Sequence, residues 1–235
     1  MKRLQSSSQL APPCKLVRSN AVTLNYNGVA AIAPCAQLVL GDAGITNTWT
    51  AGVISLADNS TVLFNVWGNN NNIVTVNIVA AANATINVNV YGNANVLTSL
   101  TLNAQANTYT NVDIIGSNNA ITGLTVNGDI TSNQDVEIPS NFNALTGVTL
   151  NGNKNGTVSF TINGNTNTVT TATYSATDNA VVSGAFNSQN TVTGLTVTAT
   201  GSSQAAWNMP QVGFTANTQV VSVSGAQKSI VNFPN

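Results

Sequence analysis

Residues 117–128 and 141–152 read SNNAITGLTVNG and NFNALTGVTLNG, one phrase repeated, with a different phrase, DITSNQDVEIPS, between them at 129–140. Working outward in twelves, the first phrase recurs as NANVLTSLTLNA at 93–104 and, after a one-residue deletion, as VTGLTVTA at 192–199. The second kind of twelve includes AANATINVNVYG at 81–92, QANTYTNVDIIG at 105–116 and NKNGTVSFTING at 153–164. Asparagine holds the third position of successive twelves as Asn71, Asn83, Asn95, Asn107, Asn119, Asn143, Asn155, Asn167 and Asn179, with Thr131 alone breaking the run. Like follows like at every second twelve, so the repeating unit is a pair of unlike halves.

Each half contains one strand pattern. Halves of the 105–116 kind place apolar residues at positions eight and ten (Val88/Val90, Val112/Ile114, Val136/Ile138, Phe160/Ile162), with position six often joining them (Ile86, Val158, Val182). That is period-two alternation. The other halves are apolar at five, eight and ten, with a Thr-Gly or Thr-Ser bend after position five. The expected fold is therefore all-β, a parallel β-solenoid of 24-residue coils with irregular caps at both ends. Stacking at about 4.8 Å gives six coils over 57–200 and a rod roughly 30 Å long. An antiparallel meander closed into a sandwich or barrel also alternates with this period. It favours two-residue turns, however, where this chain has longer ones that reuse the same Asn position. Asn in the arcs tolerates left-handed backbone angles, and its amide can bond the Asn of the next coil to form a ladder.

Outside the repeat the expected organisation is a basic flexible arm at 1–20, an N-terminal cap and irregular first coil at 21–56, and a C-terminal cap at 201–235. In that last segment Trp207, Met209, Phe214 and Phe233 would plug the core or, alternatively, form an apolar docking surface for another subunit.

Composition excludes several kinds of function. The chain of 235 residues has six Lys and Arg, seven Asp and Glu and no His. Four of the six basic residues lie in the first 18, so no phosphate-neutralising face for nucleic acid is available. Without His there is no Ser-His or Cys-His nucleophile pair and no His-based zinc site. Cys14 and Cys35 leave both a disulfide and two free thiols open. No apolar run is long enough for a membrane span, and no cofactor is implied. Ser6, Ser7, Ser8 and Gln9 stand where a secretory signal needs its apolar core, which favours assembly inside a cell over export.

The carboxylates are the only catalytic or metal-binding candidates. Asp113 and Glu137 occupy the same position of successive like halves and would stack one coil apart, with Asp135 two residues before Glu137. Such a group could hydrolyse a glycosidic bond, hold Ca²⁺ weakly, or simply be the charges that a nearly neutral rod keeps on its face. The irregular rung, Thr131 to Pro139, lies on the same coil. A second outward feature is the polar ladder Thr101/Asn103, Thr125/Asn127, Thr149/Asn151 and Thr173/Ser175. The triplets beginning at Asn59, Asn83 and Asn155 match glycosylation acceptors.

In repeat style, ITGLTVNG at 121–128 and NGNTNTVT at 163–170 resemble β-solenoid surface proteins: phage tail fibres and tailspikes, virion decoration proteins, and bacterial adhesins or curli-like repeats. The Thr array is similar in architecture to ice-binding solenoids, with Asn where their second Thr stands. The resemblance implies a non-enzymatic structural or host-contact component of a virus particle, located on the virion and anchored through its termini. Its partners would be other virion proteins, further copies of itself and surface glycans. A polysaccharide-degrading tailspike and an exported adhesin or ice-binding protein are the alternatives it implies.

Overall fold

In the computed structural model the described residues are 58–59, 61–187 and 189–208, together with the flanking strands Lys15–Arg18, Ala36–Leu40, Thr48–Trp49, Gly52–Leu56, Thr215–Ala216, Gln219–Val223 and Ile230–Asn232. Two sheets run the length of the molecule. The first holds Thr61–Trp67, Thr85–Tyr91, Tyr109–Ile114, Asn133–Ile138, Thr157–Ile162 and Val181–Phe186, and the second holds Asn72–Ala80, Val96–Ala104, Ala120–Thr122 with Leu124–Gly128, Ala144–Gly152, Thr168–Ala176 and Thr191–Ala199. Every strand pairs in parallel with its counterpart one coil away, as Val136 does with Val112 and Phe160, which rules out the meander. The register keeps one full repeat, Ala144 against Thr168, until the last coil, where Thr168 meets Thr191 across the deletion.

Pairing continues past both ends of the 57–200 repeat. Ala36–Leu40 pairs with Thr61–Trp67 and, on its other side, with Lys15–Arg18, while Gln204–Asn208 pairs with Val181–Phe186. Residues 1–14 of the expected arm, with Cys14, Cys35, Met209, Phe214 and Phe233, lie outside the described residues.

The core lies between the sheets. Phe64, Val88, Val112, Val136 and Phe160 stack along one inward row, and Ile78, Leu102, Val126, Leu150 and Tyr174 along the row facing it, all essentially inaccessible to water. Phe160 touches Tyr174 and Phe186 with ring centroids 5.7 and 5.8 Å apart. Each such side chain contributes roughly 1.5–3 kcal/mol by leaving water.

The asparagine run turns out to be two structures. Asn71, Asn95, Asn119, Asn143 and Asn167 are buried at the corner leading into the second sheet. There each Asn from Asn95 onward offers its Oδ1 to the backbone N–H of the Asn one coil earlier: Asn119 to Asn95 at 2.9 Å, Asn143 to Asn119 at 2.9 Å, and Asn190 to Asn167 at 2.8 Å. The side-chain amides of Asn71, Asn119, Asn143 and Asn167 donate to corner carbonyls, as Asn119 does to Gly116 at 2.7 Å, whereas the buried Asn95 amide nitrogen has no partner. At the opposite corner Asn59, Asn83, Asn107, Asn155 and Asn179 are exposed and themselves hold positive φ, between 55° and 67°. Asn is selected there for its tolerance of left-handed angles. Thr131, the break in the sequence pattern, keeps that geometry with φ 53° and donates its hydroxyl to Asn107 Oδ1. The rung is continuous on the outside.

The irregularity is instead internal. Position six, apolar in neighbouring coils, carries Thr110 and Gln134, fully buried and register partners, with buried Thr108 and Ser132 beside them. Gln134 fits because Gly128 has no side chain; a Cβ there would lie 1.4 Å from Gln134 Nε2. Thr110 Oγ1 and Gln134 Oε1 have no hydrogen-bond partner. A buried hydroxyl without a partner costs about 1–3 kcal/mol. Thr110→Val, which keeps the shape, is therefore expected to raise the urea midpoint, corresponding to about 1 kcal/mol of added stability. A lowered midpoint would show that the hydroxyl is satisfied.

Candidate functional site

The three carboxylates do share one surface. Asp113 and Glu137 are register partners on adjacent strands of the first sheet, and Asp135 pairs with Asn111 in the neighbouring outward row. The Asn111 amide donates to Asp113 at 2.8 Å, and Asn163 reaches Glu137 at 2.7 Å. Partial burial pushes the Asp113 carboxyl above its ordinary value. The Asn111 amide opposes this, and the Glu137 and Asp135 charges add to it. Tyr109, on the same strand as Asp113, is raised by its own burial and then by Asp135 and Asp113.

Asp113 sits in a row with Asn89 before it and Glu137 after it, and Asn89 already donates to Asn65 at 2.8 Å. Asp113→Asn would extend that amide ladder. Because folding raises the Asp113 pKa, the native state holds a proton that the unfolded chain has released. Stability attributable to this group is thus intact at the acid end, falls as pH rises from about the ordinary 3.8 through the raised native value, and is level above it. The melting-temperature advantage of Asp113→Asn over the parent should therefore grow across that window and stay constant beyond it. A difference independent of pH would mean that the carboxyl is not perturbed.

Chemically, two carboxylates on neighbouring strands have the spacing of a retaining glycosidase pair, about 5 Å, and one of them, Asp113, has its pKa raised. Their setting differs from such a site, because both stand on one face of one sheet. A furrow of about 250 Å³ lies elsewhere, at the far edge of the second sheet, lined by Asn103, Gln105, Asn127, Asp129 and Asn153 among others. Among the described residues no three acidic, Cys or His side chains converge to hold a metal ion, so Asp113, Asp135 and Glu137 do not form a cation cage. No helix among the described residues is long and apolar enough to cross a membrane.

The polar ladder of the second sheet is also in place. Thr101, Thr125, Thr149, Thr173 and Thr196 are consecutive register partners, and beside them Asn127 donates to Asn103 and Asn151 to Asn127, both at 2.8 Å. Sequence reasoning missed a second threonine row. Thr122, Thr146, Thr170 and Thr193 pair in register on the other side of the bend, with Thr98 one coil before them. The signal is the first Thr of the LTG and ITG phrases, which by spacing alone belongs to the bend. Those bends sit at Gly123, Gly147, Thr171 and Gly194, all with positive φ.

A further surface looks in the sequence like scattered aromatics. Position eleven of the first-sheet halves is Trp67, Tyr91, Ile115 and Pro139, an apolar edge on four successive coils, before it turns polar at Asn163 and Asn187. Trp67 and Tyr91 stack with ring centroids 4.4 Å apart, and exposed Phe142 and Val96 lie on the same corner. Each residue is ordinary alone, and only the coil-to-coil register aligns them.

No protein-family model, curated protein or solved structure matches the chain.

Proposed function

We propose that the chain is a non-enzymatic structural or host-contact component of a virus particle, a β-solenoid rod carried on the virion and anchored through its termini. The observation that carries this reading is a coil-to-coil hydrogen-bond ladder that continues through the corners as well as the strands. Asn83 N–H donates to the Ala106 carbonyl, Asn107 to Ile130, Ala94 to Ser117 and Phe142 to Asn165, at 2.9 to 3.2 Å. Such a rod satisfies its backbone without water and gives proteases little free chain, qualities suited to a particle exterior. Its partners would be other virion proteins, further copies of the chain and surface glycans. Peptide mass spectrometry and antibody labelling of purified particles from the source of the sequence test the proposal: the chain should band with the particles at fixed stoichiometry. Its absence from washed particles would overturn the reading.

A second reading, polysaccharide cleavage, is favoured by the Asp113–Glu137 pairing and the raised Asp113 carboxyl. It requires release of reducing ends from a surface polysaccharide, abolished in Asp113→Asn and Glu137→Gln variants that still fold. Equal release by parent and variants would remove it.

A further inference from the structure

The outward face of the second sheet carries no charge. Within residues 58–204 the charged side chains are Asp113, Asp135 and Glu137 on the first sheet and Asp58, Asp129, Lys154 and Asp178 at the corner before it. On the uncharged face stand the two threonine rows, one with five register-paired members and one with four, flanked by the Asn103–Asn127–Asn151 ladder. Among the described side chains of these strands no aromatic ring points outward, and Tyr174 is fully buried.

We propose that this face binds the surface of ice. Three classes of partner suit it poorly. A charged surface finds no counter-charge here, a sugar ring finds no aromatic plane, and an apolar protein face would have to cover hydroxyls and leave them unpaired. What the face offers is repetition. Each Thr presents a methyl, which restricts the water beside it, and a hydroxyl, which bonds to that water. Backbone pairing sets the repeat at about 4.8 Å along each row, so the rows cannot drift out of step. Side-chain ladders resist the twist that would splay them. Contacts that are individually weak add up only if the partner is equally periodic and uncharged, and ordered water is such a partner. This activity goes beyond the particle role and does not depend on it.

The test uses the purified full chain in a cooled-stage osmometer, reading the gap between melting and freezing points and the shape of single ice crystals. The parent is expected to open a gap and facet the crystals. Thr125→Tyr combined with Thr149→Tyr should abolish both while far-UV circular dichroism and melting temperature stay at parent values. Ser159→Tyr, on the opposite sheet, should retain both. If the double variant loses its β signal, Thr149→Lys alone takes its place with the same expectation. A parent that leaves crystals unshaped, a folded variant as active as the parent, or retention on insoluble glycans in place of ice would each overturn the proposal.

Discussion

Gly116→Ala is expected to be among the most damaging single substitutions in the molecule. A Cβ built at Gly116 would lie 1.6 Å from the carbonyl oxygen of Gly92 and 2.3 Å from its carbon, and one at Gly92 would lie 2.1 Å from the Gly68 oxygen. The obstacle is the backbone of the neighbouring coil, so no rotamer change relieves it. Only separating two coils held by parallel hydrogen bonds would make room. The expected loss is at least about 3 kcal/mol, at or beyond the upper end for overpacking. Ser140, the one side chain in this column among the described residues, follows Pro139 and turns its hydroxyl onto the Ile115 carbonyl. Gly147→Ala is the control. Gly147, unlike Gly116, has positive φ, at 69°, and its added Cβ would meet nothing closer than 3.8 Å. Only the left-handed backbone then resists, at about 1–2 kcal/mol. Urea midpoints of the two variants decide the matter, and equal shifts would show that the glycine column is not tightly stacked.

The second large effect separates the two kinds of asparagine. Asn119→Ala removes the acceptor of the buried Asn95 N–H and the donor to the Gly116 carbonyl. Leaving both without partners should cost about 3–5 kcal/mol. Asn107, one half-coil earlier in the same sequence pattern, is exposed with φ 56°. Its replacement by Ala should cost about 1 kcal/mol, the penalty of a left-handed alanine. Replacement by Gly should be close to neutral there, since Gly adopts that conformation freely, whereas Asn119→Gly should be as damaging as Asn119→Ala. Thermal melts of the four variants read this directly. If Gly is tolerated at both sites, or at neither, the division of the run into two sets is wrong.

Much of this architecture was legible because parallel stacking copies a pattern with fixed spacing. Val88, Val112 and Val136 had to share a row once the 24-residue period was recognised, and Asp113 with Glu137 had to be register partners. The polar interior at Thr110 and Gln134 was less legible, because a polar residue at an inward position looks like an outward one until the opposite wall is known. Only Gly128, from the facing sheet, makes space for Gln134. The apolar edge Trp67–Tyr91–Ile115–Pro139 escaped notice because its members differ in type. The second threonine row escaped because its residues adjoin a glycine bend and look like part of it.

By itself the sequence determined the period, the two unlike halves, the inward rows and the sharing of one face by the carboxylates. All of these follow from side-chain alternation and from a repeat length that must equal one circuit of the coil. Tertiary structure alone decided which corner each asparagine occupies, and hence whether it serves through its amide or its backbone angle. It also decided that Thr131 continues its rung and that the charges leave one sheet bare. Those outcomes depend on which wall each arc turns against, and no spacing along a single chain encodes that.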